Sequence, residues 1–221
     1  SLRFIAGVEI SVTWDGTTVH IVGLHIDPKN AVLRSGLESV REGRAKRAEK
    51  IGDALAAAGV PDSLAGARTY AENPELIGRS HFARHLVDTG RAPDVRSVFR
   101  RYLVKGKPGF VQHEWASLAD AVSWIRASGG IAVIAHPGRY TFSNAQMQTF
   151  VAQFRDCGGG GIEVVTGSHA PDQYHEFARV ARKFGLAASR GSDYHGKGES
   201  RADLGALPQL PDDLKPVWQE W

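Results

Sequence analysis

Apolar residues change their period along this chain, and the changes divide it into stretches. From Arg3 to Val12 and from Thr17 to Ile26 the residues are rich in strand formers. Asp15-Gly16 lies between the two runs, which predicts a hairpin closed by a tight turn. From Asn30 the period becomes helical: Leu33, Leu37, Val40, Ile51 and Leu55 recur at turn spacing up to Gly59, predicting one long helix. Shorter helical patterns follow over 63–72, 80–89 and 94–103, separated by Asn73-Pro74 and Arg91-Ala92-Pro93. Lys105-Gly106-Lys107-Pro108-Gly109 then breaks the pattern before a strand-like Phe110-Val111-Gln112-His113.

Beyond that point helices and strands alternate. Helices are predicted over 117–128, 143–156 and 171–184, and strands over 131–135, 161–165 and 186–189. Short strands separated by helices of 10 to 15 residues predict an α/β domain built on a parallel sheet or barrel, with its active site at the carboxyl ends of the strands. Residues 1–29 and 108–221 form that domain in this reading, and 30–107 form an all-helical insertion.

The composition changes little in this picture. With 221 residues, 42% hydrophobic and 23% charged, the chain is long enough to bury a core and is not of disordered composition. No apolar run approaches the roughly 20 residues that span a bilayer, so no membrane partner is expected. A single cysteine, Cys157, excludes an internal disulfide, and a cytoplasmic location is expected. Charge adds more. The net value is +3, but residues 31–107 carry 15 Lys and Arg against 9 Asp and Glu, so the helical segment is the anion-facing part.

Three apolar runs end in metal-ligand chemistry. Phe4-Ile5-Ala6-Gly7-Val8 leads to Glu9, Ile131-Ala132-Val133-Ile134-Ala135 leads to His136-Pro137-Gly138, and the run 184–188 is followed by Ser192-Asp193-Tyr194-His195. Side chains two apart on extended backbone share a face, so Asp193 and His195 are expected to address one point. His20 lies on the strand expected to pair with that of Glu9, whereas His25, at an odd offset, faces away and receives no role. Five nitrogen and oxygen ligands without thiolate suit Zn, Mn or Fe in a multinuclear site rather than a structural zinc. Such cations activate water near neutral pH and neutralise charge on attacking and leaving oxygens, which favours phosphoester hydrolysis.

The helical segment supplies a second clue. The apolar stripe of its first helix continues through Arg44 and Arg47, which either pair with acids such as Glu72 or Glu75 or bind a substrate phosphate by forked hydrogen bonds. Arg79-Ser80-His81 opens the helix expected at 80–89, with Ser80 as its N-cap and the helix terminus and Arg79 facing an anion. Lys105 and Lys107 read more simply as a solvated basic loop. Arg139, Ser168 and His169 are expected at the catalytic end. Cys157 has no evident base beside it, no Gly-x-Ser-x-Gly elbow is present, and the glycine run 158–161 lacks the Lys-Ser or Lys-Thr of a P-loop.

Gly7-Val8-Glu9-Ile10-Ser11, Thr18-Val19-His20-Ile21-Val22-Gly23, Ala135-His136-Pro137 and Gly191-Ser192-Asp193-Tyr194-His195 together resemble the later motifs of the PHP (polymerase and histidinol phosphatase) superfamily. Arg41-Glu42-Gly43-Arg44, Arg47-Ala48 and the segment Gly78 to Leu86 resemble its bacterial 3',5'-nucleoside bisphosphate phosphatase group. The resemblance implies a distorted (β/α)7 barrel with a helical lid and up to three divalent metals, commonly manganese, with Zn, Fe or Mg as alternatives. It implies Glu9, His20, His136, Asp193 and His195 as metal ligands, with Glu9, Asp193 and His195 central to catalysis. Arg47 and Arg79 would hold the phosphate that is not cleaved, beside Arg44, Ser80 and His81, while hydroxide generated at the metals attacks the other. The implied reaction removes the 3'-phosphate of nucleoside 3',5'-bisphosphates.

Family members open with a His-x-His strand, an Asp and a Thr-Asp-His motif ahead of the glutamate strand, and this chain starts almost at that strand. The expectation is an internal start at Ser1-Leu2, an incomplete barrel, weakened metal binding and a missing N-terminal segment of the same protein as a partner. Two other functions fit the same residues: a 5'-to-3' exoribonuclease acting on short 5'-phosphorylated RNA, and a noncatalytic nucleotide-binding module.

Overall fold

Two eight-residue strands, β1 (Gly7–Trp14) and β2 (Thr17–Leu24), form the hairpin that positions everything else. Asp15 and Gly16 both adopt positive φ, 46° and 71°, the backbone of a turn whose twist matches that of the strands. The turn sets the antiparallel register Ser11↔His20 and Glu9↔Val22. Ile10, Val12, Val19 and Ile21 are fully buried on one face. By strand alternation, Glu9, Ser11, His20 and Val22 share the other.

This computed structural model describes residues 3–195, 202–219 and 221; Ser1 and Leu2, the expected internal start, lie outside the described residues. Strands β3 (Ile131–Ile134), β4 (Gly161–Thr166) and β5 (Ala187–Gly191) extend the hairpin into one sheet of order β1-β2-β3-β4-β5. β2 and β3 are antiparallel, while β3, β4 and β5 run parallel. Helices α5 (Leu118–Ala127), α6 (Asn144–Asp156) and α7 (Pro171–Phe184) make the connections the alternating pattern predicts. Ser117 caps α5 through the Asp120 N–H, and Ser143 with Gln146 forms a capping box on α6. Val12 bridges to Ala116 beside β1, and Ala188 to Pro216 beside β5.

The chain separates into two compact units, residues 1–36 with 115–221 and residues 37–114. The junctions expected near 30 and 108 each lie seven residues later, for local reasons. The first turn of α1 (Ala31–Ala57) packs Gly36 on Trp124, and Trp115 and Ala116 bond to Thr13 of β1. In the helical unit α1 continues beside α2 (Ser63–Arg68), α3 (Arg79–Asp88) and α4 (Val95–Val98), which passes into a π-turn at Phe99–Leu103. Ile51, Leu55, Phe82, Leu86, Val98 and Leu103 form its core. Residues 110–113, expected as a strand, carry no ladder; the Val111 carbonyl instead accepts from Arg47 Nε at 3.2 Å. No helix among the described residues is long and apolar enough to cross a membrane.

Gly36 offers a test of this packing. Alanine in a helix is intrinsically favoured over glycine by about 1 kcal/mol, but a Cβ at Gly36 would lie 2.3 Å from the fused ring of Trp124. Displacing an indole in a packed interface costs about 1–3 kcal/mol. Gly36→Ala is expected to lower the urea midpoint rather than raise it, as equilibrium denaturation would measure.

Candidate metal centre

Glu9 and His20 are diagonal neighbours on the hairpin's polar face, and β3 brings His136 to the same place. β3 continues the β2 ladder to Ala135, whose N–H donates to the His20 carbonyl at 3.1 Å; Pro137 then ends it. His136 takes up φ 27° and ψ 56° at that point. The three side chains converge: Glu9 Oε1 lies 2.6 Å from His20 Nδ1 and 3.3 Å from His136 Nε2. The two ring nitrogens are 3.2 Å apart. Among the described residues these three alone form a group able to hold a metal ion.

Three lone-pair atoms aimed at one another require a proton or a cation between them. Metal bonds of about 2.1 Å at tetrahedral angles separate ligand atoms by roughly 3.4 Å, close to two of the three distances. Two imidazoles and a carboxylate, with no thiolate, are also the donor set of a catalytic rather than a structural divalent site. The residues therefore fit a divalent cation. Burial would raise the Glu9 carboxyl, but hydrogen bonds from His136 and His20 and the charge of their rings hold it far below the ordinary carboxylate range.

A second layer of side chains, of which only His169 was expected near the site, holds the ligands' backbone. Tyr140 accepts from the His20 N–H and donates to the Ala135 carbonyl, each at 2.9 Å, so one phenol spans two ligand-bearing strands. Burial raises its pKa further from neutrality, so the phenol keeps its proton. His169 Nε2 accepts from the Gly138 N–H at 3.0 Å, and its Nδ1 lies 3.2 Å from the Val164 carbonyl, which sets the Nδ1–H tautomer. Gln173 donates to the Gly138 carbonyl, and a Cβ at Gly138 would strike both Gln173 and His169. Glu163, on β4, accepts from the His136 N–H at 2.6 Å. Its signal in the sequence was a lone carboxylate inside the apolar strand 161–166.

Asp193 and His195 differ from expectation. β5 ends at Gly191, and Asp193 has φ 52°, so the pair is not on extended backbone. Asp193 is well covered and gathers Ser168 Oγ at 2.7 Å and Arg139 Nη1 at 3.3 Å on one oxygen. His195 is exposed and its Nδ1 lies 2.9 Å from the Asp193 carbonyl. The structure places neither in the three-residue group.

The helical unit carries its own cluster. Arg44, Arg47 and Arg79 are half-buried, and burial lowers the pKa of each. Arg47 is brought down to about 10, by burial first and then by the charges of Arg79 and Arg44. His81 and His113 are depressed by burial and by neighbouring cations that include Arg44. Of the acids proposed as partners, Glu75 pairs with Arg41 at 3.3 Å. Ser80 is not the cap: α3 starts at Arg79 with Gly78 as N-cap, and the Gly78 N–H donates to His81 Nδ1, leaving Ser80 exposed in the first turn.

Burial of His169 lowers its imidazole from 6.5 to about 4. Between those values an unfolded chain takes up a proton that the folded chain refuses, so stability is lost as pH falls through this window. Glu163 has the opposite sign: burial raises it to about 8, so its contribution is lost as pH rises from 4.5. His169→Gln keeps a donor and an acceptor but cannot titrate. Its urea midpoint is expected to fall less than the parent's between pH 7 and pH 5.

Comparison with known proteins places this geometry in a family. No family model matches the chain. It is 52% identical over 219 residues to a 3',5'-nucleoside bisphosphate phosphatase of Chromobacterium violaceum, covering 99% of this chain and 77% of that protein. It is 39% identical over 220 residues to a 5'-3' exoribonuclease of Haemophilus influenzae, covering 100% of this chain and 79% of that one. A solved amidohydrolase structure from Chromobacterium violaceum, containing bound sulfate and no metal, superposes with a TM-score of 0.91 at 52% identity, over 98% of this chain and 75% of that one. The chain belongs to the family of phosphoric-ester hydrolases that holds this bisphosphate phosphatase and this exoribonuclease.

Proposed function

We propose that this chain removes the 3'-phosphate of nucleoside 3',5'-bisphosphates, using divalent cations held by Glu9, His20 and His136. The observation that carries the reading is the convergence of those three donors at the end of β3. The relative named as a bisphosphate phosphatase supports the substrate class at 52% identity. The distorted (β/α)7 barrel of the PHP group is the architecture this reading favours. A divalent cation supplies Lewis acidity, lowering the pKa of water and offsetting charge on the ester oxygens. Manganese is the metal this reading favours.

The chain's own groups supply the rest. Glu9 stays ionised at neutral pH and gives the centre a fixed negative ligand. Asp193 and His195 complete the ligand set in this reading, with Ser168 and Arg139 fixing the Asp193 carboxylate. Arg47 and Arg79, beside Arg44, Ser80 and His81, hold the phosphate that is not cleaved. Guanidinium suits this task because it stays charged and donates in a planar fork. A second reading, 5'-to-3' trimming of short 5'-phosphorylated RNA, is favoured by the exoribonuclease relative at 39% identity. It uses the same residues.

Phosphate release from adenosine 3',5'-bisphosphate is expected to require added divalent metal and to stop with chelator. Asp193→Ala is expected to abolish it, and undiminished turnover after thorough chelation would refute the reading. A faster rate on 5'-phosphorylated RNA than on the bisphosphate would transfer the assignment to the exoribonuclease. Loss of one charge-assisted phosphate contact is worth about 1.5–3 kcal/mol. Arg79→Met is therefore expected to raise KM at least about tenfold with kcat little changed, measured by steady-state kinetics.

A further inference from the structure

β4 contains an anomaly that the three ligands alone do not explain. Every residue from Gly161 to Thr166 is buried, and Glu163 among them is 9% exposed. A carboxylate in that position is costly compared with an apolar side chain of similar size. The parity of the sheet shows where it points. Ile21, Ile134 and Ile162 are register partners on one face, so Glu163 lies on the face that carries His20 and Glu9.

His136 has a complementary problem. The β2–β3 ladder ends with Ala135, and Pro137 has no N–H, so the His136 amide is the first beyond the ladder and is buried. Its positive φ of 27° is a conformation that non-glycine residues hold only at a cost of about 1–3 kcal/mol. An unsatisfied buried amide would add about 1–3 kcal/mol. Glu163 Oε2, at 2.6 Å, satisfies it with a carboxyl acceptor from the adjacent strand. β5 approaches the carboxylate from its other side. Gly191 is bare there, and a Cβ on it would come within 3.0 Å of Glu163 Oε1.

We infer that Glu163 is a positioning residue for the cation centre: by gripping the main chain of His136 it sets the direction from which that imidazole meets Glu9 and His20. The inference rests on the reading of these three residues as cation ligands. The Glu163 side chain reaches the His136 backbone N–H rather than a ligand atom of the cluster. Neighbours that orient a ligand in this way typically change metal affinity by about 10–100-fold when replaced.

The test is the Mn2+ dissociation constant of the chain, read by titration calorimetry, with circular dichroism and urea denaturation as fold controls. Glu163→Leu retains the volume and removes the acceptor, and is expected to weaken Mn2+ binding by about tenfold or more. Glu163→Gln retains an acceptor oxygen and is expected to restore most of the affinity. Gly191→Ala presses on Oε1 and is expected to weaken binding without altering any ligand. Ile162→Ala, on the opposite face, is expected to lower the urea midpoint and leave the Mn2+ constant unchanged. Equal Mn2+ affinity in Glu163→Leu and the parent overturns the inference, and so does an equal loss in Ile162→Ala. If Glu163→Leu does not fold, an unchanged constant in Gly191→Ala overturns it. A parent that binds no Mn2+ defeats the cation reading as well, whereas binding lost in His136→Ala but intact in Glu163→Leu defeats only the role of Glu163.

Discussion

The register of one hairpin governs the site. Glu9 and His20 are eleven residues apart, and they share a face only because a two-residue turn at Asp15-Gly16 aligns Ser11 with His20. Side chains alternate along a strand, so a slip of one residue would send His20 into the packed face and Val19 or Ile21 to the polar one. That slip is opposed by the burial of Ile10, Val12, Val19 and Ile21, all at or near zero exposure. The same apolar alternation that makes the core therefore also selects which polar groups can meet. The geometry of the centre is a by-product of core packing on the reverse of the sheet.

His136 shows what this arrangement costs. A ligand projecting from the last residue of a buried strand leaves the ladder at the point where backbone groups lose their regular partners. Every amide around the turn has found a substitute: Glu163 for His136, His169 for Gly138, and the His136 carbonyl for Arg139. Tyr140 joins the His20 amide to the Ala135 carbonyl. Positive φ at His136 is tolerated because these contacts over-determine the turn. Two of the substitutes, Glu163 and His169, are titratable groups that burial keeps neutral, and they pull stability in opposite directions with pH.

Much of the frame was legible in the sequence because period alone decides it. α5, α6, α7 and strands β3 to β5 lie within two residues of the positions their apolar spacing predicts, and the hairpin strands within four. Glu9, His20 and His136 were legible because each ends or crosses an apolar strand, where an ionisable group needs a reason. Glu163 and Tyr140 were not read, and His169 was placed at the catalytic end without its role, since each serves backbone atoms, and backbone hydrogen bonding has no residue-type signature. Counting parity along β4 from the strand ends would nevertheless have put Glu163 on the ligand face. The assumption of extended backbone failed at Asp193, which turns through positive φ two residues beyond β5. At Ser80 the cap propensity was overridden by the His81 imidazole, which took the Gly78 amide and moved the helix start by one residue.

The arginines of the helical unit carry the complementary argument, because charge there works against folding. Burial and mutual repulsion lower Arg47 to about 10, and burial together with neighbouring cations depresses His81 and His113. Each depression is free energy by which the folded unit disfavours positive charge that the unfolded chain would tolerate. Under the proposed function, a phosphate arriving at this cationic cluster would relieve repulsion that the protein already bears. Affinity for the anion and strain in its absence are then the same quantity seen from two states.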